Sequence, residues 1–348
     1  MTLADRRLVF AHYFLWFGTP ARSGHWGNWK WNGPGCRHDP GRRKNGLADI
    51  AAVGYPLLGP YDSSDPAVLR RHVRWARDAG LDFFAVDWYG PAGRPGSTAK
   101  YARVDANFSA LLDVCEKNRF KAAICYEEKL LFENSTGADR RVSMGVDHLT
   151  YLFDAYARHP GYQKLDGRPV LVVWGDHTLR TREWLEMMST VRGKHDPVVV
   201  YSYFFKNDAR QKTWYENLVR KKSDPPYVDS LYPWLLIGSK KSIFSRLDVQ
   251  YARLRDLKRR ELVDFVTGSV WADFDDTGVW AWGGPKPRVI PDSDGLYEMT
   301  WKTAMENKAD WISIATWNDW NEGSQIEPDA VGGERLLELT SRFTRTFK

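Results

Sequence analysis

Short apolar runs recur along the chain, with amphipathic segments between them. The runs read as strands at Leu8–Trp16, Asp82–Trp88, Phe120–Tyr126, Pro169–Trp174, Pro197–Tyr203, Tyr227–Tyr232, Asp264–Val270 and Trp311–Trp317. Most are apolar almost without interruption, as parallel strands covered on both faces should be. Apolar residues spaced three and four apart predict helices over Pro66–Ala79, Asn107–Asn118, Asp147–Arg158, Thr181–Val191, Ala209–Arg220, Lys241–Arg260, Leu296–Asn307 and Glu334–Phe347. Ser64-Asp65-Pro66 supplies a cap and a first-turn proline for the first helix, and Gly80 stops it.

Strands alternating with helices in this number predict an α/β fold, a single (β/α)8 TIM barrel with long loops on its C-terminal face. A doubly wound open sheet is the rival, but no Gly-rich phosphate loop follows the first strand. The sixth strand is the weakest of the eight patterns. One long irregular stretch, Gly18 to Asp65, is rich in Gly, Pro and Trp. It is the loop after strand one, on the face where barrels build their sites.

Composition narrows the function classes. The net charge is +6, yet 50 basic residues stand against 44 acidic ones and are scattered, so no nucleic-acid partner is expected. No apolar run is long enough for a membrane span, and the polar start, Met1 to Arg7, does not look like a signal peptide. Three cysteines, Cys36, Cys115 and Cys125, give neither a disulfide framework nor metal-ligand spacing. No metal or cofactor is expected. The 17 Trp are unusual, and since each indole N–H wants a partner, many are expected to line an open cleft.

The strand ends carry the candidate chemistry. They offer Tyr13, Trp16 and Phe17 with His25-Trp26; Asp87-Trp88-Tyr89; Tyr126-Glu127-Glu128; Trp174 with Asp176-His177; Tyr201 and Tyr203; Tyr232 and Trp234; and Trp271, Asp273, Asp275 and Asp276. The eighth end is Trp317-Asn318-Asp319-Trp320-Asn321-Glu322, followed by Gly323-Ser324-Gln325-Ile326-Glu327-Pro328. Carboxylates move protons, amides bind hydroxyls and indole faces stack on sugar rings. Asp319 and Glu322 form a pair of the kind glycoside hydrolysis needs.

Plainer readings stand beside these. Asp87 is equally a turn cap, His25 and His177 satisfied loop histidines, and one of Glu127 and Glu128 a solvent-facing partner of Lys129. Asp275-Asp276 reads as a turn or, with Asp273, a weak cation site. Glu327 reads as a surface loop residue, and Asn318 or Asp319 as a helix cap. A Ser-His-Asp or Cys-His hydrolase is disfavoured, because there is no Gly-x-Ser-x-Gly elbow.

In order along nearly the whole chain, these segments resemble glycoside hydrolase family 99, the endo-α-mannosidases, and relatives in bacterial polysaccharide clusters. The segments are Tyr13-Phe14-Leu15-Trp16-Phe17-Gly18-Thr19-Pro20 with His25-Trp26, Gly59-Pro60-Tyr61-Asp62-Ser63-Ser64-Asp65-Pro66, Asp87-Trp88-Tyr89, Glu127, Asp229-Ser230-Leu231-Tyr232, Phe274-Asp275-Asp276-Thr277 and the last motif. The resemblance implies one glycoside-hydrolase-like barrel domain over residues 1–348. It also implies a retaining, endo-acting hydrolase of α-linked, mannose-like glycans. One carboxylate removes the sugar 2-hydroxyl proton to form a 1,2-anhydro sugar, and the other protonates the leaving oxygen.

By position Asp319 is the base and Glu322 the acid. Tyr13, His25, Trp26, Trp88, Tyr89, Glu127, Tyr232, Asp276, Asn318 and Asn321 are the implied substrate-binding residues. Two departures fall in the motif: Asp319 stands where the family has Glu, and Asn321 where it has His. The shorter acid loses about 1.5 Å of reach. The alternatives are a glycan-binding barrel without catalysis, or an accessory protein of polysaccharide assembly.

Overall fold

The first strand sets the architecture by its parity. In the computed structural model, which describes residues 2–94, 102–133, 137–175, 179–203, 218–219 and 228–348, Val9–Tyr13 (β1) is buried on both faces. Phe10 stacks on Phe83 at 4.8 Å and meets Tyr232 edge-on at 6.4 Å, so the even positions face the barrel interior. Tyr13 stacks on Phe84 and bonds His72 of the helix layer, so the odd positions face outward. Successive side chains on a strand point to opposite faces, and this alternation repeats around the ring.

The remaining barrel strands are Phe83–Trp88 (β2), Lys121–Glu127 (β3), Arg168–Trp174 (β4), Val198–Tyr203 (β5), Ser230–Pro233 (β6), Phe265–Val270 (β7) and Trp311–Ile314 (β8). All pair in parallel with their neighbours. The ring closes where β1 meets β8, with Val9 beside Ile312 and Ala11 beside Ile314. A short antiparallel segment, Lys164–Leu165, precedes β4. Helices Pro66–Asp78 (α1), Ala102–Lys117 (α2), Ala138–Tyr156 (α3), Thr181–His195 (α4), Lys240–Arg259 (α5), Leu296–Glu306 (α6) and Arg335–Phe347 (α7) cover the outside. The (β/α)8 barrel expected from the apolar pattern is therefore the fold.

Several boundaries differ from the sequence reading. The second and third helices begin earlier than expected, and β1 and β8 end earlier. Beyond Ile314 the chain turns through Trp317–Gly323 instead of extending β8. The predicted helix 209–220 falls almost wholly outside the described residues, as do Tyr227, Asp176 and His177.

The bottom of the barrel is held by a buried charge cluster. Asp229 accepts from Arg168 at 3.0 Å, from Arg192 at 2.9 Å and from the Val199 amide at 2.8 Å. These bonds satisfy a carboxylate whose burial alone would be costly.

At the top, the loop over residues 18–65 forms two small hairpins, Trp31–Gly33 with Cys36–His38 and Arg43–Lys44 with Leu47–Ala48. It has its own small core of Phe14, Phe17, Trp29, Ile50, Tyr61 and Trp320. Phe17 stacks on Trp29 at 4.0 Å, and the Trp29 indole donates to the Tyr61 carbonyl. No helix among the described residues is long and apolar enough to cross a membrane.

Candidate active site

The turn after β8 is built by its own polar residues. The Asp319 amide donates to Thr316 Oγ1 at 2.9 Å, and the Asp319 carboxylate accepts the Glu322 amide at 3.1 Å. Asp319 therefore caps the turn that carries Glu322. Gly323 closes the turn at φ +61°, against the backbone of Asp275. A Cβ there would lie 2.9 Å from the Asp275 carbonyl oxygen, so the close approach requires glycine. The Asp275 amide then donates to the Glu322 carbonyl at 2.8 Å, tying the loop after β7 to the turn.

The two carboxyls have different surroundings. Asp319 is buried and faces the barrel interior. Burial, the Glu322 charge and the Asp87 charge hold its proton affinity well above the usual carboxylate range. Glu322 lies at the rim with its side chain about a fifth exposed. Trp282 Nε1–H donates to its Oε1 at 2.9 Å, and Arg288 Nη2 lies 3.3 Å from the same oxygen. Burial raises Glu322 too, but the indole and the guanidinium favour its charged form. Burial and neighbouring charge thus favour the neutral form of Asp319, while Trp282 and Arg288 oppose that tendency at Glu322.

Beneath Asp319 the barrel interior holds His12, Asp87, Cys125, Glu127 and Tyr232. His12 Nδ1 lies 3.4 Å from Asp87 Oδ2, and its ring meets Trp234 edge-on at 4.7 Å. Tyr232 reaches the Val173 carbonyl and neighbours Cys125, Asp87 and Glu127. Ligand atoms of His12, Asp87 and Cys125 lie within 4.8 Å of one another, spacing that an ion would accept. Burial, with Asp87 and Glu127 nearby, pushes the Cys125 thiol well up. The thiol is hydrogen-bonded to Asp87.

The rim is aromatic. Trp282 meets Trp16 at 6.1 Å and Trp31 at 5.6 Å, and Trp16 stacks with Phe14 and Tyr89. Trp280, Ala281 and Trp282 form a left-handed turn, with φ of 48°, 49° and 55°. For residues with a Cβ this costs about 1–2 kcal/mol each. The turn is held by the Ala281 amide on the Asp276 carbonyl and by the Trp280 ring packed onto Gly35. A Cβ on Gly35 would sit 2.0 Å from that ring, so the hairpin of the first loop and the loop after β7 fit together at a glycine.

Of the expected site residues, the structure gathers Asp319, Glu322, Glu127, Tyr232 and Tyr89 around one cleft. Asp276 supports it, accepting from the Arg288 amide at 2.6 Å and from Arg288 Nε at 2.7 Å. Others lie elsewhere. Tyr13 and Trp88 occupy outward positions: the Tyr13 hydroxyl bonds His72 Nδ1, and the Trp88 indole donates to Asp105 of α2. Asn318 is buried in the loop attachment, donating to the Phe14 carbonyl and accepting the Phe14 amide. Asn321 donates to the carbonyls of Asn28 and Ala51, fastening the first loop to the turn. His25 is exposed and bonded to Arg103, and half-buried Trp26 packs on the first loop's core.

Three further expectations also change. Glu327 is not a surface residue: it is buried and bonded to Tyr61, His72 and the Trp320 indole. Neither Glu127 nor Glu128 faces solvent, and Glu128 accepts from Tyr201 at 2.7 Å. Trp29, Trp88, Trp184, Trp271, Trp301, Trp311, Trp317 and Trp320 are fully buried, so much of the Trp content is core rather than cleft. Sequence reasoning missed His12, Trp282 and Arg288. The run Trp280-Ala281-Trp282-Gly283-Gly284 was the available signal for the second of these. A separate cavity of about 200 Å³, lined by Asp273, Ser293, Glu327 and Arg335, lies outside this cleft.

A closed parallel barrel with paired carboxyls on the turn after its last strand, under an aromatic rim, defines a carbohydrate-cleaving enzyme. The chain belongs to Glycosyl hydrolase family 99, whose sequence model matches residues 4–336, and it is a glycoside hydrolase. It is 23% identical over 336 residues to glycoprotein endo-alpha-1,2-mannosidase of Rattus norvegicus, covering 92% of this chain and 67% of that protein. It is 23% identical over 319 residues to the uncharacterized protein WxcX of Xanthomonas campestris, covering 81% of this chain and 42% of that one. The structure of the GH99 endo-alpha-mannosidase from Bacteroides thetaiotaomicron superposes with a TM-score of 0.75 at 21% identity. That match covers 100% of this chain and 98% of the other, a likeness of fold.

Proposed function

We propose that the protein is a retaining, endo-acting hydrolase of α-linked mannose glycans, with Asp319 as base and Glu322 as acid. The observation that carries this is the placement of both carboxyls on one turn with opposite outlooks. Asp319 looks into the barrel, where a sugar ring enters, and Glu322 looks to the rim, where a leaving group departs. The names of the curated relatives support mannose as the sugar.

In the first step Asp319 takes the proton of the 2-hydroxyl, O2 attacks C1, and Glu322 gives its proton to the departing glycosidic oxygen. In the second, Glu322 takes a proton from water as its oxygen attacks C1 of the anhydro sugar, and Asp319 returns a proton to O2. Net protons balance, and each carboxyl ends as it began. The pair needs one proton between them, located on Glu322 when the bond breaks. A sugar hydroxyl bonded to Asp319 favours its anionic form, and displacement of Arg288 from Glu322 favours the acid form there. Together they move the proton to where it is used.

The test is incubation with α-1,2-linked manno-oligosaccharides and α-mannan, followed by reducing-end assay and proton NMR. Internal cleavage with the α-anomer formed first supports the proposal; a first-formed β-anomer overturns retention. A second reading, a glycan-binding barrel without turnover, is favoured by the engagement of the Asp319 carboxylate in its own turn. Calorimetric binding of the same oligosaccharides without any new reducing ends identifies that case.

A further inference from the structure

Three features converge at the rim, and the proposed reaction uses only one of them. The Trp282 indole N–H is bonded to Glu322, the carboxyl assigned to the leaving group. The Trp282 ring meets Trp16 and Trp31 at steep angles, 65° and 83°, and all three indoles are only partly buried. The backbone under Trp282 is left-handed through three consecutive non-glycine residues. Strain of this kind persists where the surroundings impose a side-chain position.

The side of the cleft follows from the two carboxyls. Asp319 neighbours Asp87 toward the barrel interior. Glu322 neighbours Trp282 and Arg288 on the opposite, rim side. A sugar whose 2-hydroxyl meets Asp319 therefore lies inward, and the residue it leaves behind lies against Trp282. Partly exposed indole faces suit the apolar C–H face of a hexose.

We propose that Trp282, with Trp16 and Trp31, forms the wall of a subsite for the sugar on the leaving-group side, and that its indole N–H positions the Glu322 carboxyl. Trp282 is thus a positioning residue for the acid and a contact for the leaving sugar. The inference rests on the reading of Glu322 as the acid, and it adds a residue and a subsite to that reading.

The test uses Trp282→Phe, which keeps a ring and removes the N–H, and Trp282→Ala, which removes both. Two substrates are compared: an α-1,2-linked mannotetraose, and an α-mannobiosyl fluoride, whose leaving group needs no protonation and carries no leaving-side sugar. Trp282→Phe is expected to lower the ratio of glycan to fluoride turnover at least about tenfold. It also moves the basic limb of the glycan pH profile upward, because the lost donor stabilised ionised Glu322. Trp282→Ala adds a rise in KM for the tetraose that the fluoride does not share. Equal losses on both substrates, or an unmoved basic limb, overturn the proposal.

If the wild type hydrolyses neither substrate, the hydrolase reading fails by itself. The Trp282 contact is then decided by titrating its indole ¹⁵N shift, which should follow a carboxyl and cease to do so in Glu322→Gln. The subsite is decided by calorimetry, in which Trp282→Ala should weaken tetraose binding; a flat titration or unchanged binding overturns the corresponding half.

Discussion

The Asp319 carboxylate accepts the backbone amide of Glu322 at 3.1 Å, so one proposed catalytic group holds the backbone of the other. This relationship dictates which substitutions are informative. Asp319→Asn keeps an oxygen for the amide while removing the base, so the turn persists. It is expected to reduce glycan turnover by about 10²–10⁴-fold, with no drop in melting temperature. Asp319→Ala loses the cap as well and should cost about 1 kcal/mol of stability. Wild-type turnover by Asp319→Asn would remove the base assignment.

Asp319→Glu separates reach from chemistry. In a cleft shaped around aspartate the extra methylene is overpacked at a fully buried position and activity falls. If the wild type is a binder with a shortened base, the longer acid raises turnover instead. Initial rates of the two proteins on one oligosaccharide decide between these outcomes.

Glu322→Gln keeps an acceptor for the Trp282 indole and loses the transferable proton. Turnover of unactivated glycan should fall about 10²–10⁴-fold, while the circular dichroism spectrum and melting temperature stay close to wild type. A variant hydrolysing at the wild-type rate would show that another group is the acid.

The raised proton affinity of Asp319 has a stability consequence of definite sign. A carboxyl that binds its proton more tightly when folded makes the native state take up protons relative to the unfolded chain. Its contribution is fully present below the unfolded value and is lost as pH rises from about 4 toward the raised native value. Urea unfolding of wild type against Asp319→Asn across that range should show stability declining with pH more steeply in the wild type. Parallel curves would mean that Asp319 titrates normally.

Glu327 is expected to matter for folding more than for chemistry. It joins His72, Tyr61 and Trp320 in a buried network that extends to Tyr13. Glu327→Ala leaves several buried donors without a partner and should destabilise by about 3–5 kcal/mol. Chemical denaturation measures this directly. A loss below about 1 kcal/mol would mean the network relaxes freely.

The barrel was legible because strands covered on both faces leave continuous apolar runs, and helices between them leave a different period. The same continuity hid the parity of each strand. In Val9–Tyr13 nothing in the pattern distinguishes inward His12 from outward Tyr13, and in Phe83–Trp88 nothing distinguishes inward Asp87 from outward Trp88. A one-residue shift exchanges the faces, and Tyr13 and Trp88 each stand one position away from a residue that faces the barrel interior. The turn after β8 was legible as a cluster because its carboxylates and amides have no place in an ordinary core. Its amides nevertheless serve the backbone: Asn318 and Asn321 fasten the first loop, contacts separated by about three hundred positions that no local pattern shows. Trp282 was hidden for a similar reason, since its place depends on Trp31 and Glu322 in distant segments.

The fastening of the first loop by Asn321 has a consequence for how the protein is made. The ribosome delivers β1 and the aromatic loop long before it delivers β8 and its turn. Until then β1 has no partner on one edge, and Phe14, Phe17 and Trp29 lack Trp320 to complete their packing. The nascent chain thus carries an unpaired edge and an oily loop through most of its synthesis, the kind of surface that chaperones shield. Barrel closure and the packing of the first loop on Trp320 both require the last strand and its turn, the same segment that carries the carboxyl pair.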